Sequence, residues 1–453
     1  MIERMVLFGA SGDLTSRLLL PAIAQLAEDD LVPAGLAMVG SDITDWSTDD
    51  FRDHIAGKLQ EHASVTAATR DRVVGMLSFE SADVTEPEDV GRVIGEDHPG
   101  TLVYLALPPS LLTKALPALA ATTLGSPDAV AIEKPFGTDL ASAHELNEIL
   151  RIQLPEPTIF RIDHFLSDEL VRRVIVLRFL NRVFEPVLNA AQVDRVNISW
   201  LESLTLEGRA SYYDGAGALK DMVQNHLMEA MALVLMAQPA RLDADSFRSV
   251  RVEALRTVAT PSAERMPSDT VRARYTAGTI GSREVPSYVD EPGVDPSRDT
   301  ETYASLTLRP HSPRWDGVPF TLRSGKALET DSGEIAIHFR PLPRYLADRF
   351  AGVEPNVLRI GLMEPYVRLA TTLNGPQQTA EHHQLEARST PPRLTAYAHL
   401  IEQMLQSDPR LFIRGDEAEE AWRIIDPVMA AWTAGDVPMQ EYAAGSAPPA
   451  PPL

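Results

Sequence analysis

Short apolar runs alternate with amphipathic stretches through the first third of the chain. Met5 to Phe8, Leu36 to Val39, Leu102 to Ala106 and Val130 to Ile132 read as buried parallel strands. Leu14 to Ala27, Asp49 to Leu59 and Ala141 to Leu150 carry helical spacing between them. That alternation predicts an α/β doubly wound sheet, with ligand at the carboxyl ends of its strands. Leu154-Pro155-Glu156-Pro157 reads as a hinge into a second domain. Beyond it come a helical pattern from Asp168 to Phe184, a strand from Arg195 to Glu202, and a helix from Ala218 to Ala237 that Gln238-Pro239 ends. After Pro267 the pattern becomes β-like, with strands at Tyr303 to Leu308, Phe320 to Arg323 and Glu334 to Phe339. Residues 394–406 and 416–425 read as closing helices, and the Pro-rich tail from Ala447 to Leu453 as disordered. The expectation is a Rossmann-like domain over 1–155, an α+β domain with a large, mainly antiparallel sheet over 156–445, and a tail over 446–453. No internal repeat is visible.

At 453 residues the chain exceeds one ordinary core, which agrees with two domains. Lys+Arg 41 against Asp+Glu 64 gives a formal charge of −23. Nucleic acid and anionic membrane both call for a surplus of cations, so neither is expected as a partner. A solvated, solubilising surface accounts for the acidity. The absence of cysteine excludes disulfides, thiolate catalysis and cysteine-ligated metal. The N-terminus enters its first strand with no signal-peptide layout, and no apolar run approaches the ~18 residues a membrane span needs. A cytoplasmic enzyme is the default expectation.

Four segments could carry chemistry. Phe8-Gly9-Ala10-Ser11-Gly12-Asp13-Leu14 joins a strand to a helix, where glycines let backbone N–H groups approach a pyrophosphate. Its spacing is GxxG, which equally suits a plain tight turn. Glu133-Lys134-Pro135 ends a strand, and a residue before proline is held out of the α region, which can aim the lysine inward; a surface salt bridge would read the same way. Asp163-His164 and Asp221…His226 each pair a carboxylate with an imidazole, the arrangement that fixes a tautomer and lets a histidine take a proton. Asp221 and His226, five apart, fall on neighbouring rather than identical faces of an α-helix, so Asp163 is the natural carboxylate for His226. A metal would use the same residue types, but no ligand spacing such as HxxxH supports one. Arg323-Ser324-Gly325-Lys326-Ala327-Leu328, ending a strand, is a weak phosphate signal by itself.

In order along the chain, these segments resemble the glucose-6-phosphate dehydrogenase family. The blocks are Gly9 to Leu14, Tyr104 to Pro109, Glu133 to Gly137, Arg161 to His164, Leu177 to Arg182, Asp221 to His226, Gly317 to Phe320, Arg323 to Leu328 and Glu420 to Ile424. The resemblance implies oxidation of a hexopyranose at C1 to a δ-lactone by a nicotinamide coenzyme. It implies that His226 is the general base, that Asp163 orients it, and that Lys134 meets both sugar and coenzyme, with Pro135 cis as in the family. Glu202 and Asp221 match sugar-hydroxyl contacts, and His164 and Lys326 match positions near the 6-phosphate. Gly9, Ser11, Gly12, Asp13, Leu14, Leu107, Pro108 and Lys134 match the coenzyme side. A homo-oligomer, dimer or tetramer, is expected by the same analogy.

The departures bear on specificity. Where the family reads His-Tyr-Leu-Gly-Lys-Glu, this chain has His164-Phe165-Leu166-Ser167-Asp168-Glu169. A phosphate-binding hydroxyl becomes Phe165 and a lysine becomes Asp168. The family's further cation after Lys326 aligns with Asp331, and a substrate-contacting glutamine aligns loosely with Leu362. If Asp168 and Asp331 face the pocket, a phosphate dianion should bind poorly, with Arg172 or Arg173 as the available substitutes. On the coenzyme side the arginine that holds a 2′-phosphate is replaced at Ile43, and a helpful lysine by Leu18, with Arg17 beside it. Asp42 sits where an acid accepts a hydrogen bond from a free ribose 2′-hydroxyl, which favours NAD over NADP; capping of the following turn is the other use of an Asp there. Three readings follow: the family reaction on glucose 6-phosphate; an NAD-preferring dehydrogenase of an unphosphorylated or amino hexose; and an inactive regulatory homologue.

Overall fold

The computed structural model describes residues 2–95, 100–166, 168–350, 353–375, 379–390 and 392–450. The chain forms two compact units. The first comprises Met1–Val171, Pro239–Ser249 and Pro392–Glu419; the second comprises Arg172–Gln238, Val250–Pro391 and Glu420–Leu453.

The first unit is built on a wholly parallel sheet. Its strands are β1 (Arg4–Phe8), β2 (Ala37–Asp42), β3 (Leu77–Ser81), β4 (Thr101–Leu105), β5 (Ala129–Glu133) and β6 (Ile159–Ile162), in the order β3-β2-β1-β4-β5-β6. Met5, Val6, Leu7, Leu102, Val103, Val130, Ala131 and Ile132 are fully buried, as expected of strands covered by helices on both faces. The order reverses between β1 and β4, and the carboxyl ends of those strands form the crevice where such sheets take ligands. The predicted strands at Met5, Leu36, Leu102 and Val130 are all present, as are helices Leu20–Glu28, Thr48–His62 and Leu140–Gln153.

The second unit carries a 10-stranded sheet, in which the pairs between Val193–Leu201 and Phe320–Gly325 and between Thr270–Thr276 and Met439–Ala443 are parallel and the rest antiparallel. The three β-strands predicted after Pro267 lie within it as Tyr303–Pro310, Phe320–Gly325 and Ser332–Phe339. Its middle strands pack against a helical run from Ala210 to Leu235. The expected single α-helix over 218–237 is remodelled there. The run kinks at Gly217, then widens to π geometry over Leu219–Leu227 before closing as an α-helix over Met228–Leu235. The pattern over 168–184 likewise divides, into an α-helix Asp168–Ile175 and a π stretch Val176–Leu180. The tail is held through residue 449: Ser446 pairs with Leu328 and the Tyr303 hydroxyl donates to the Pro449 carbonyl at 3.1 Å. Residues 451–453, the rest of the expected disordered tail, lie outside the described residues. No described helix is long and apolar enough to cross a membrane.

Candidate active site

Gly9 must be glycine for two independent reasons. Its φ of +81° is one that side chains disfavour, and a Cβ there would run into the Ala106 carbonyl oxygen at the end of β4. The loop closes through Gly12 N–H to the Gly9 carbonyl at 3.1 Å, and Ser16 and Thr15 hydroxyls donate back to Gly12 and Gly9. Asp13 and Leu14 then lead into the first helix, so the loop meets the geometric needs of a phosphate-binding turn. At the end of β2, Asp42 accepts from the Ser11 hydroxyl at 2.7 Å through one oxygen and from Ile43 N–H at 2.7 Å through the other. It therefore faces the glycine loop and caps its own turn at once. Ile43 is 75 % exposed, with no cation in its place, and Arg17 forms a surface pair with Asp13 at 3.7 Å. Leu107 and Pro108 lead from β4 into the helix Pro109–Ala120. A glycine turn, a helix start and an acid at the end of β2 are the set that suits a dinucleotide.

The carboxyl ends of β4, β5 and β6 bring together a group that the sequence motifs showed only in part. Glu133 is half-buried and its carboxylate accepts from the Tyr104 hydroxyl at 2.6 Å and the Tyr397 hydroxyl at 3.3 Å. Burial raises it to a pKa of about 7, against the two phenol hydrogen bonds and the charge of Lys134, while the charge of Asp163 adds to the rise. The Lys134–Pro135 peptide is cis. Asp163 is fully buried after β6 and accepts from Phe165 N–H at 2.9 Å; the His164 ring stacks on Tyr397 with centroids 6.0 Å apart. Tyr397 lies outside every motif noted above; a tyrosine in an otherwise plain helix gives no signal of what it meets.

In the second unit the π geometry changes how Asp221 and His226 relate. An i→i+5 helix sets residue i+5 nearly above residue i, so these two side chains share a face instead of lying on neighbouring ones. His226 is buried, and its N–H donates to the Asn225 side-chain oxygen at 2.6 Å; Tyr212 donates to Asp221 at 3.3 Å. Lys326 pairs with Glu202 at 2.6 Å and lies 5.4 Å over the Tyr213 ring. Asp331 accepts from Ser203 N–H at 2.6 Å and its hydroxyl at 2.8 Å. The Asp168 side chain lies outside the described residues. Arg173 donates to the Gly361 carbonyl, Arg172 is exposed, and Leu362 N–H donates to the Gly333 carbonyl. Among the described residues no group of three His, Cys, Asp or Glu has metal-site spacing.

The wide helix begins at a buried acid. Glu301, just ahead of the strand Tyr303–Pro310, accepts from Leu219 N–H at 2.9 Å, and its carboxylate fills the space that a Cβ on Gly217 (φ +68°) would need. Burial raises Glu301 to a pKa of about 7, against the Leu219 and Glu301 backbone bonds and the charges of Arg272 and Lys220. A raised folded-state pKa means the folded protein binds the proton more tightly. The resulting penalty is absent below the unfolded value, grows as pH rises, and is complete above about 7. Glu301→Gln keeps the acceptor and removes the penalty. Its stability relative to the parent should rise by about 2 kcal/mol between pH 5 and pH 8. A difference that stays flat across that range would show the carboxylate is not buried as described.

Two domain models of one family account for nearly all of the chain. The glucose-6-phosphate dehydrogenase NAD binding domain matches residues 6–173, and the glucose-6-phosphate dehydrogenase C-terminal domain matches 175–451. Glucose-6-phosphate 1-dehydrogenase of Zymomonas mobilis is 34% identical, over 98% of this chain and 95% of its own. Glucose-6-phosphate 1-dehydrogenase of Treponema pallidum is 36% identical, over 98% and 91%. A solved glucose-6-phosphate dehydrogenase in complex with its substrate glucose-6-phosphate superposes with a TM-score of 0.88 at 28% identity, covering 99% of this chain and 96% of that one.

Proposed function

This chain belongs to the glucose-6-phosphate dehydrogenase family, and from that premise we propose that it oxidises glucose 6-phosphate at C1 to the 6-phosphoglucono-δ-lactone. The observation that carries this reading is the collinear match of both family domains from residue 6 to residue 451. NAD(P) supplies the acceptor for the C1 hydride. His226 takes the C1 hydroxyl proton, and a neutral imidazole suits that task near neutral pH. The roles that the family motifs give Asp163, Lys134, His164, Glu202, Asp221 and Lys326 are proposed with it.

NAD is the proposed coenzyme. Asp42 beside Ser11 offers an acceptor to a ribose hydroxyl and repulsion to a phosphate, and Ile43 offers no cation. The family reading also carries the expectation of a cytoplasmic homo-oligomer, dimer or tetramer.

Initial rates of reduction of NAD and of NADP test all of this together, with glucose 6-phosphate, glucose and glucosamine compared at matched concentrations. The expected outcome is a kcat/KM for glucose 6-phosphate at least a hundredfold above the other sugars, with NAD ahead of NADP. Faster turnover of a free or amino sugar would overturn the phosphate reading. A higher kcat/KM with NADP would overturn the coenzyme reading alone.

A further inference from the structure

We infer that Glu133 is a positioning residue of the reaction: its carboxylate, clamped by two tyrosine hydroxyls, holds the β5 end that carries Lys134 in register with the ends of β4 and β6. This rests on the proposed dehydrogenase reading for Lys134 and goes beyond it in assigning a role to its neighbours.

The geometry leads there step by step. Glu133 is the last residue of β5, so its side chain and that of Lys134 leave a strand end where ligands of such sheets collect. A carboxylate in a half-buried setting is costly unless hydrogen-bonded, and the bonds come from two separate elements. Tyr104, the next-to-last residue of β4 and wholly buried, donates at 2.6 Å. Tyr397, on the helix Ala396–Leu405, donates at 3.3 Å and stacks its ring on His164. One carboxylate thus ties together β4, β5, the segment after β6 and a helix that comes from more than two hundred residues further along the chain.

Among the described residues, Tyr104, Tyr397, Lys134 and Asp163 face Glu133. Tyr104 and Tyr397 favour its ionised form by donating to it, the Lys134 ammonium does the same through its charge, and the Asp163 carboxylate opposes ionisation. Burial and the nearby Glu133 charge push both phenols up, so the tyrosines stay protonated donors throughout the working pH range. Glu133 is then the member of the clamp that changes charge near neutrality. When it ionises, Lys134 gains a local anion and both hydroxyl bonds become charge-assisted, hence shorter and stronger. When it is neutral, the clamp loosens and Lys134 keeps only its other neighbours.

The test compares the parent with Glu133→Gln, Glu133→Ala and Tyr397→Phe in two readouts. One is the pH profile of kcat/KM for glucose 6-phosphate between pH 5.5 and 9. The other is the Kd of NADH, followed by fluorescence over the same range. The parent should show an inflection near 7 in one or both. Glu133→Gln, which keeps an acceptor for both tyrosines and cannot ionise, should abolish that inflection with its melting temperature essentially unchanged. Tyr397→Phe, half-exposed and so safe to truncate, removes a bond that favours ionisation and should move the inflection upward by about half a unit or more. Glu133→Ala should lower kcat/KM tenfold or more. A Glu133→Gln profile that superposes on the parent in both readouts would overturn the proposal, as would a Glu133→Ala kcat/KM within twofold. If the parent turns over no sugar, the dehydrogenase reading fails instead, and the NADH titrations still decide the role of Glu133.

Discussion

His226→Asn is expected to lower kcat for glucose 6-phosphate by about 10²–10⁴-fold while the KM moves by no more than a few-fold. Asparagine is close to histidine in size and polarity but cannot take a proton, so the substitution removes general-base catalysis. The surroundings favour a clean loss. The His226 backbone N–H, not its ring, is what Asn225 holds, so the local bond at 2.6 Å survives the exchange. Val223, Leu227 and Met228 around it are fully buried, and the helix stays packed against the central strands of the large sheet. The sugar contacts proposed for Glu202, Asp221 and Lys326 are not made through this ring. Steady-state rates at saturating coenzyme, with a direct measurement of glucose 6-phosphate binding, separate the two effects. An unchanged kcat would remove His226 from the role of base. A lost kcat together with lost binding would make it a ligand for the sugar instead.

Much of this site was legible in the sequence because its residues sit in short local patterns. A glycine turn after an apolar strand, Lys before Pro at a strand end, and Asp next to His all speak through neighbours in the chain. What was not legible depends on distant partners. The strand Ile159–Ile162 escaped notice because it is only four residues long and holds a fully buried arginine, a charge that an apolar-run criterion counts against a strand. The strand Leu77–Ser81 alternates buried Leu77 and Phe79 with less buried Ser78 and Glu80, too briefly to stand out. The π geometry of Leu219–Leu227 has no residue signature of its own. It follows from Gly217 and from the Glu301 carboxylate, which lies 82 residues beyond the Leu219 N–H it accepts from. The partner of Asp331 was hidden for a related reason: alignment shows which residue replaces a cation, not that Ser203 donates to it from 128 residues away. Tyr397 had no local context at all.

Glu156→Ala should cost about 3–5 kcal/mol of stability, the largest loss expected from any single substitution discussed for this chain. Glu156 lies in Leu154-Pro155-Glu156-Pro157, whose prolines read as a hinge, yet its carboxylate is a hub. One oxygen accepts from Arg161 at 2.8 Å, from Arg248 at 2.8 Å and from Gly415 N–H at 3.0 Å. The Arg161 and Arg248 side chains are 0% and 1% exposed. Burial holds the Arg161 guanidinium below its ordinary pKa, and the charge of Glu156 is the main influence opposing that fall. Truncation to alanine leaves two buried guanidiniums without the Glu156 carboxylate, the circumstance in which breaking a buried pair is most damaging. Some compensation comes from Asn147, which accepts from Arg161 at 3.0 Å, and from the charges of Glu419 and Asp416, so the loss should stay within that range. Because β6 runs from this hub straight to Asp163, the damage should also reach activity before the protein unfolds. Urea denaturation of the parent, Glu156→Ala, Arg248→Ala and the double variant decides the matter. If the carboxylate and guanidinium are coupled as drawn, the double variant loses at least 1 kcal/mol less than the sum of the single losses. Additive losses, or a Glu156→Ala cost below 1 kcal/mol, would mean that the two arginines are held by their other partners and that residues 154–157 are a true hinge.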